Sequence, residues 1–276
     1  MRTNASLIYY RSRDSSEDSS LNLCNKDIKE LLNIGDNKLD TNAKICGIKY
    51  FKYFKLVDDL QSTFSFSLKT TYPGLVIGIG YNHPPSKKSD FQLGFYFDHT
   101  TGMPVIPGST VKGVLKSVFP KIEISRNDSE EIKIEKQKLN NEKLSYVNNI
   151  LQEKLGKEPF LTQDNWEILF GKGNIFYDAY ISNVPDDGKI FAEDYITPHT
   201  AGPFKDPIPI RFLKIAPGVT FTFQFKFVES KFNNIKIVPS DKLKLFEQIL
   251  LDFGIGAKRN VGYGNLVEVA KLNKEN

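Results

Sequence analysis

Residues 221–270 read FTFQFKFVESKFNNIKIVPSDKLKLFEQILLDFGIGAKRNVGYGNLVEVA, and the order of patterns within them settles the fold class. Phe221, Phe223, Phe225 and Phe227 alternate with Thr222, Gln224 and Lys226, the period of a strand with one buried face. Ser240 is a good N-cap for a helix over about 241–251, where Leu243, Phe246, Ile249 and Leu250 share a stripe. A glycine-rich loop and a last strand, Asn265–Ala270, follow. A dinucleotide-binding fingerprint needs a strand before its glycines and a helix after them, so the polarity here is reversed.

The upstream chain repeats the mixture. Phe64, Phe66 and Leu68 alternate with Ser65, Ser67 and Lys69, and residues 75–79 (LVIGI) form a second β-prone run. Gln92–Asp98 reads as a strand leading into a turn around Thr101-Gly102. Pro104 to Thr110 then stiffens the start of a helix with Val111, Val114, Leu115 and Val118 on one face and Pro120 as its breaker. Further strands are expected at 174–181 and 190–196. Adjacent β-runs with a helix late in each half indicate an α+β fold, not a doubly wound parallel sheet.

Residues 1–44 are expected to be a partly disordered extension, because RSRDSSEDSS at 11–20 has no apolar side chain, although KDIKELLNI at 26–34 suits a short helix. The main domain is expected over 45–276. Within it, 121–160 reads as a solvated helical insertion: residues 121–158 hold 8 basic and 8 acidic side chains, with sparse apolar ones at roughly helical spacing.

Composition narrows the function. The chain has 276 residues, 40% apolar, and no apolar run near the roughly 18 residues of a membrane span. Its N-terminus lacks the apolar region of a secretory signal. Two cysteines (Cys24, Cys46) and three histidines (His83, His99, His199) are poor material for a disulfide scaffold or a metal site, so a cytoplasmic protein without metal or cofactor is expected. From Lys205 onward there are 12 Lys/Arg against 7 Asp/Glu, so this basic segment carries +5 and the preceding 204 residues −1 of the net +4. A basic terminal segment is compatible with a polyanionic partner.

Three segments carry chemistry. Gly254, Gly256, Gly262 and Gly264 enclose Lys258, Arg259 and Asn260, and exposed amides with two cations make an anion-binding concavity. The alternative is a flexible helix–strand connection. Gly108, Ser109 and Thr110 open the first helix, where amides and the helix dipole favour a phosphate. Lys112 and Lys116 lie four apart on the face expected to be opposite the apolar stripe. The third segment, 194–213, has prolines at 198, 203, 207 and 209, which argue for a projecting loop or irregular hairpin. Asp98 beside His99, and Asp194 near His199, are the available general-base candidates, and neither pair has neighbours at a recognisable ligand spacing. Trp166 and the phenylalanines are expected in the core.

In order, G-x-P-V-I-P-G-S-T-x-K-G, D-Y-I-T-P-H and G-I-G-A-K-R-x-x-G-Y-G resemble the RAMP superfamily of CRISPR effector proteins over about residues 60–270. Within it the segments are most similar to the family of sixth subunits of type III-B Cmr complexes. That resemblance implies a ferredoxin-like (RRM-like) core and a noncatalytic backbone-type subunit that binds the 3′ part of a guide RNA. Its partners would be guide RNA, target RNA and other Cmr complex subunits. It implies RNA contacts at Gly108, Ser109, Thr110, Lys112, Lys116, Gly254, Gly256, Lys258, Arg259, Asn260 and Gly262. Thr197, Pro198, His199, Ile208 and Ile210 would belong to a thumb that wedges into the guide–target duplex. Three positions depart from the family pattern: Thr110 for a serine, Arg259 for a common threonine, and Lys116 where arginine is frequent and would bind phosphate bidentately. An endoribonuclease using a loop aspartate, as related backbone subunits do, is the rival reading. A protein-interaction module that never touches RNA is the third.

Overall fold

The computed structural model describes residues 64–78, 92–98, 102–196 other than 157 and 159, 209–232 and 235–269. The extension 1–44, its candidate helix, His83, His99 and the arm residues Thr197, Pro198, His199 and Ile208 lie outside the described residues.

The Phe-rich strand is the centre of the molecule. β1 (Phe64–Thr70), β3 (Tyr96–Phe97), β4 (Pro104–Ile106), β5 (Ile175–Phe176), β6 (Ala179–Asn183), β9 (Thr220–Lys226) and β12 (Leu266–Glu268) form an antiparallel sheet. Its order is β12-β1-β9-β6-β4-β3, with β5 pairing the far end of β9. Phe66 faces Phe223 in register, and the two rings stack at 5.4 Å. Phe221, Phe223, Phe225 and Phe227 are all buried, as the alternation requires. Their side of the sheet is covered by helices; Phe227 meets Phe246 edge-on at 5.5 Å.

Those helices are α1 (Gly108–Ser117) and α3 (Pro239–Phe253). The first stands in sequence between β1 and β6, and the second between β9 and β12. Helix α3 begins earlier than the sequence suggests. Its N-cap is Val238, not Ser240; Pro239 takes the first helical position, where a missing N–H costs nothing, and Asp241 accepts the Val238 amide at 3.3 Å.

Between them runs α2 (Glu130–Leu155), a helix of 26 residues capped by Ser129 and by Gly156 in the left-handed region (φ 61). Its charge-rich first half is solvated, but Val147, Ile150 and Leu151 are buried in the main core, and α2 packs along α3. Buried Asn140 holds the preceding loop through both the amide and the carbonyl of Ile122. Trp166 joins the core, stacked on Phe119 at 5.3 Å.

A second sheet carries the proline-rich segment. β7 (Phe191–Ile196) and β8 (Ile210–Ile215) pair antiparallel from Phe191↔Ile215 to Ile196↔Ile210, and β2 (Gln92–Leu93) adds parallel to β8. The prolines therefore leave regular strands at both ends of 194–213. Of the β-prone run, the described residues 75–78 make only an isolated bridge, Leu75↔Ile215, because Ile77 and Gly78 both turn their amides to Gly94 O. β10 (Ser230–Phe232) and β11 (Ile235–Ile237) form a separate two-stranded ribbon.

Candidate nucleic-acid interface

Helix α3 ends at Phe253, and the following loop repeatedly takes backbone conformations that side chains disfavour. Gly254, Gly256, Gly262 and Gly264 all have positive φ (65, 98, 93 and 78), and Lys258 is the described non-glycine residue that does so (φ 59). A Cβ on Gly256 would lie 2.2 Å from Val76 O, and one on Gly264 1.9 Å from Ile255 O. The close approach is used for hydrogen bonds. Ala257 N donates to Val76 O at 2.6 Å, Gly264 N to Gly74 O at 2.9 Å, and Ile255 N to Gly264 O at 2.9 Å. A loop fastened at three places is not a flexible connection.

On this base stand the cations. Lys258 is half-buried, and Arg259 and Asn260 are exposed. Arg259 Nη1 donates to Phe253 O at 3.1 Å, so one arm of its guanidinium offsets the negative end of α3. Neither Lys258 nor Arg259 forms an ion pair among the described residues.

The start of α1 differs from the sequence expectation. Gly108 N is already taken, donating to Asp178 Oδ1 at 2.7 Å. The amides of Thr110 and Val111 turn back to Pro107 O. Gly108 is buried, and a Cβ there would strike Phe176 O at 2.1 Å. Ser109 is exposed and Thr110 half-buried. Lys112 and Lys116 do not project freely from a face opposite the core. Lys112 Nζ sits 5.4 Å over the Phe176 ring, and Lys116 Nζ 5.6 Å over both Trp166 and Phe170. The structure gives the two glycine segments different supports: Gly74 and Val76 hold the loop, Phe176 and Asp178 the start of α1. Of the arm residues, Ile210 opens β8.

A third group lies outside what sequence reasoning singled out as a unit. Asp194 Oδ2 accepts from Lys214 Nζ at 2.5 Å and from the Tyr263 phenol at 2.5 Å, while Oδ1 takes the Tyr195 amide. Lys214 is buried and also lies 5.3 Å over the Tyr263 ring; beside it, Arg211 pairs with Glu193. Burial pulls the Asp194 carboxyl upward, but its hydrogen bonds from Lys214, Tyr263 and Tyr195 outweigh this and hold it below the usual 3.8. The Tyr263 phenol is pushed up by burial and by the same carboxylate. Asp194 is thus tied into a strand-to-loop fastening. The signal was a lysine and an aspartate inside otherwise β-prone runs, at IRFLKI and FAEDYI.

Asp98 closes the β3–β4 turn, its amide bonded to Met103 O and its carbonyl to Gly102 N. It and Asp178 both lie near Tyr180, whose phenol is raised by burial and then by these two carboxylates. Among the described residues no group of three or more His, Cys, Asp or Glu is placed to hold a metal ion. No described helix is long and apolar enough to cross a membrane.

The family model of the RAMP superfamily matches residues 67–267, a span that includes all three motif segments. The CRISPR system CMR subunit Cmr6 of Saccharolobus solfataricus is 26% identical over 240 residues, covering 84% of this chain and 68% of that protein. A chain in the cryo-EM structure of the type III-B Cmr-β complex bound to cognate target RNA is 21% identical, with a TM-score of 0.48, over 95% of this chain and 86% of its own. The crystal structure of Cmr6 from Pyrococcus furiosus is 20% identical, with a TM-score of 0.37, over 75% of this chain and 98% of its own.

Proposed function

The chain belongs to the RAMP superfamily and is similar to the Cmr6 subunit of CMR systems, and from that premise we propose that it is a noncatalytic backbone-type subunit of a cytoplasmic type III-B CRISPR effector complex. It grips the 3′ part of the guide RNA through phosphates and helps position target RNA beside other Cmr subunits. A guide must vary in sequence, so a grip built from amides and cations suits it better than base readout.

The observation that carries this reading is the locked glycine loop, which presents Lys258 and Arg259 without a carboxylate partner among the described residues. Gly254, Gly256, Asn260 and Gly262 shape that site. Ser109, Thr110, Lys112 and Lys116 form a second contact, and Gly108 supports it by packing, since its amide is already bonded to Asp178. The order β12-β1-β9-β6, with α1 and α3 as crossovers, supports a ferredoxin-like core. The β7–β8 pair supports a thumb carrying Thr197, Pro198, His199, Ile208 and Ile210 at the duplex.

The test is the salt dependence of single-stranded RNA binding. Replacing Lys258 and Arg259 with alanine removes about two phosphate contacts, so the log–log slope should fall in magnitude by about 1.4. Unchanged slope and affinity in the folded double variant would overturn the assignment. In an assembled complex, Asp98→Ala and Asp178→Ala should each leave target RNA cuts intact. Loss of one cut with assembly preserved would establish the endonuclease reading instead.

A further inference from the structure

Tyr72 is 84% exposed, the most exposed large apolar side chain among the described residues. It stands on a turn that is held on both flanks. Thr71 N and Oγ1 both donate to Asn265 O, at 3.1 and 3.2 Å. On the other side Leu75 N donates to Ile215 O, and Gly74 O accepts from Gly264 N. Gly74 itself has φ 117 and no room for a Cβ, which would lie 2.3 Å from Ile215 O.

The turn abuts the glycine loop. Pro73 lies where a Cβ on Gly262 would touch it at 3.4 Å. Val261, on the same loop, is 68% exposed. A solvent-facing ring on a fixed backbone thus neighbours the loop that carries Lys258 and Arg259. Phosphate alone makes no use of such a ring. An unpaired base does, because every base has a face to stack and a pre-set ring loses little freedom in binding.

We propose that Tyr72 is a stacking platform for an unpaired base of single-stranded RNA, set beside the phosphate site of the glycine loop. This deepens the RNA-binding reading above and rests on it. The stack accepts any base, which keeps it compatible with a variable guide.

The experiment uses the full chain, fluorescence anisotropy, and two oligomers of equal length: oligouridylate and an abasic ribose-phosphate chain. Tyr72→Ala should weaken oligouridylate binding roughly tenfold, leave abasic binding unchanged, and leave the salt slope unchanged. Tyr72→Phe should bind both like the wild type. Equal weakening on both oligomers, or none on oligouridylate, overturns the proposal. So does loss of co-purifying protein subunits with RNA affinity intact, which would make Tyr72 a protein contact. Wild-type protein that binds neither oligomer would instead defeat the underlying RNA-binding reading.

Discussion

The Tyr263 phenol donates a 2.5 Å hydrogen bond to Asp194, across 69 positions of sequence. It joins the last tyrosine of the glycine loop to β7, the strand from which the proline-rich segment departs. Lys214 shares the same carboxylate oxygen. One small polar group packed beside Val76 and Phe212 therefore ties the loop to the arm's base.

Breaking that group should be costly and cooperative. Tyr263→Phe removes a hydrogen bond to a charged acceptor, about 1.5–3 kcal/mol. Asp194→Asn leaves buried Lys214 without its counter-charge and should cost about 3 kcal/mol or more. Urea unfolding of both single variants and the double should show non-additivity beyond about 0.5 kcal/mol. Because the folded carboxyl lies below 3.8, its contribution is complete above that pH and is lost as pH falls through the lower, folded value. Asp194→Asn should flatten this acid loss; an additive cycle and an unchanged acid limb would show that the contact carries no energy.

Much of this was legible where the signal is local. The phenylalanine alternation of β9, the apolar stripe of α3 and the glycine spacing are periodicities that a few neighbouring residues express. What escaped is long-range. Asp178 meets Gly108 from 70 positions away, so the Gly108 amide, which reads as open to an anion in sequence, is already bonded in the fold. Lys112 and Lys116 read as solvated because the α1 stripe points elsewhere. The rings of Trp166, Phe170 and Phe176 come from distant segments and cover that second face. In α2, dense charge masks Val147, Ile150 and Leu151, which its periodicity places together but cannot assign to a partner.

Glycines of similar appearance in sequence should respond in opposite directions. Gly113 sits inside α1, is exposed, and has open space where a Cβ would stand, with nothing within 4 Å. Gly113→Ala should stabilise by up to about 1 kcal/mol through helix propensity. Gly264→Ala forces a Cβ to 1.9 Å from Ile255 O at φ 78 and should cost about 3 kcal/mol or more. Denaturant midpoints of the two variants, measured together, check both signs. A tolerated Gly264→Ala would mean that the loop is not held as tightly as its hydrogen bonds indicate.

Lys242 offers a test at alkaline pH. It is fully buried on α3, where Nζ donates to Asn174 Oδ1 at 3.0 Å and Val228 O at 2.6 Å. Both partners are neutral, so burial pushes the ammonium down to about 8 from 10.5. Below about 8 the lysine is protonated in both the folded and the unfolded chain, and stability has no slope from it. Between about 8 and 10.5 the unfolded chain holds the proton and the folded chain releases it, so stability rises with pH. The neutral amine still donates both hydrogen bonds, so nothing is lost in return. Lys242→Met keeps the apolar stem and removes the titration. The stability of the wild type relative to Lys242→Met should therefore grow by about 2 kcal/mol from about pH 8 to about pH 10, other titrating groups cancelling in the difference. A difference that stays flat over that range would mean that Lys242 keeps its charge inside the fold.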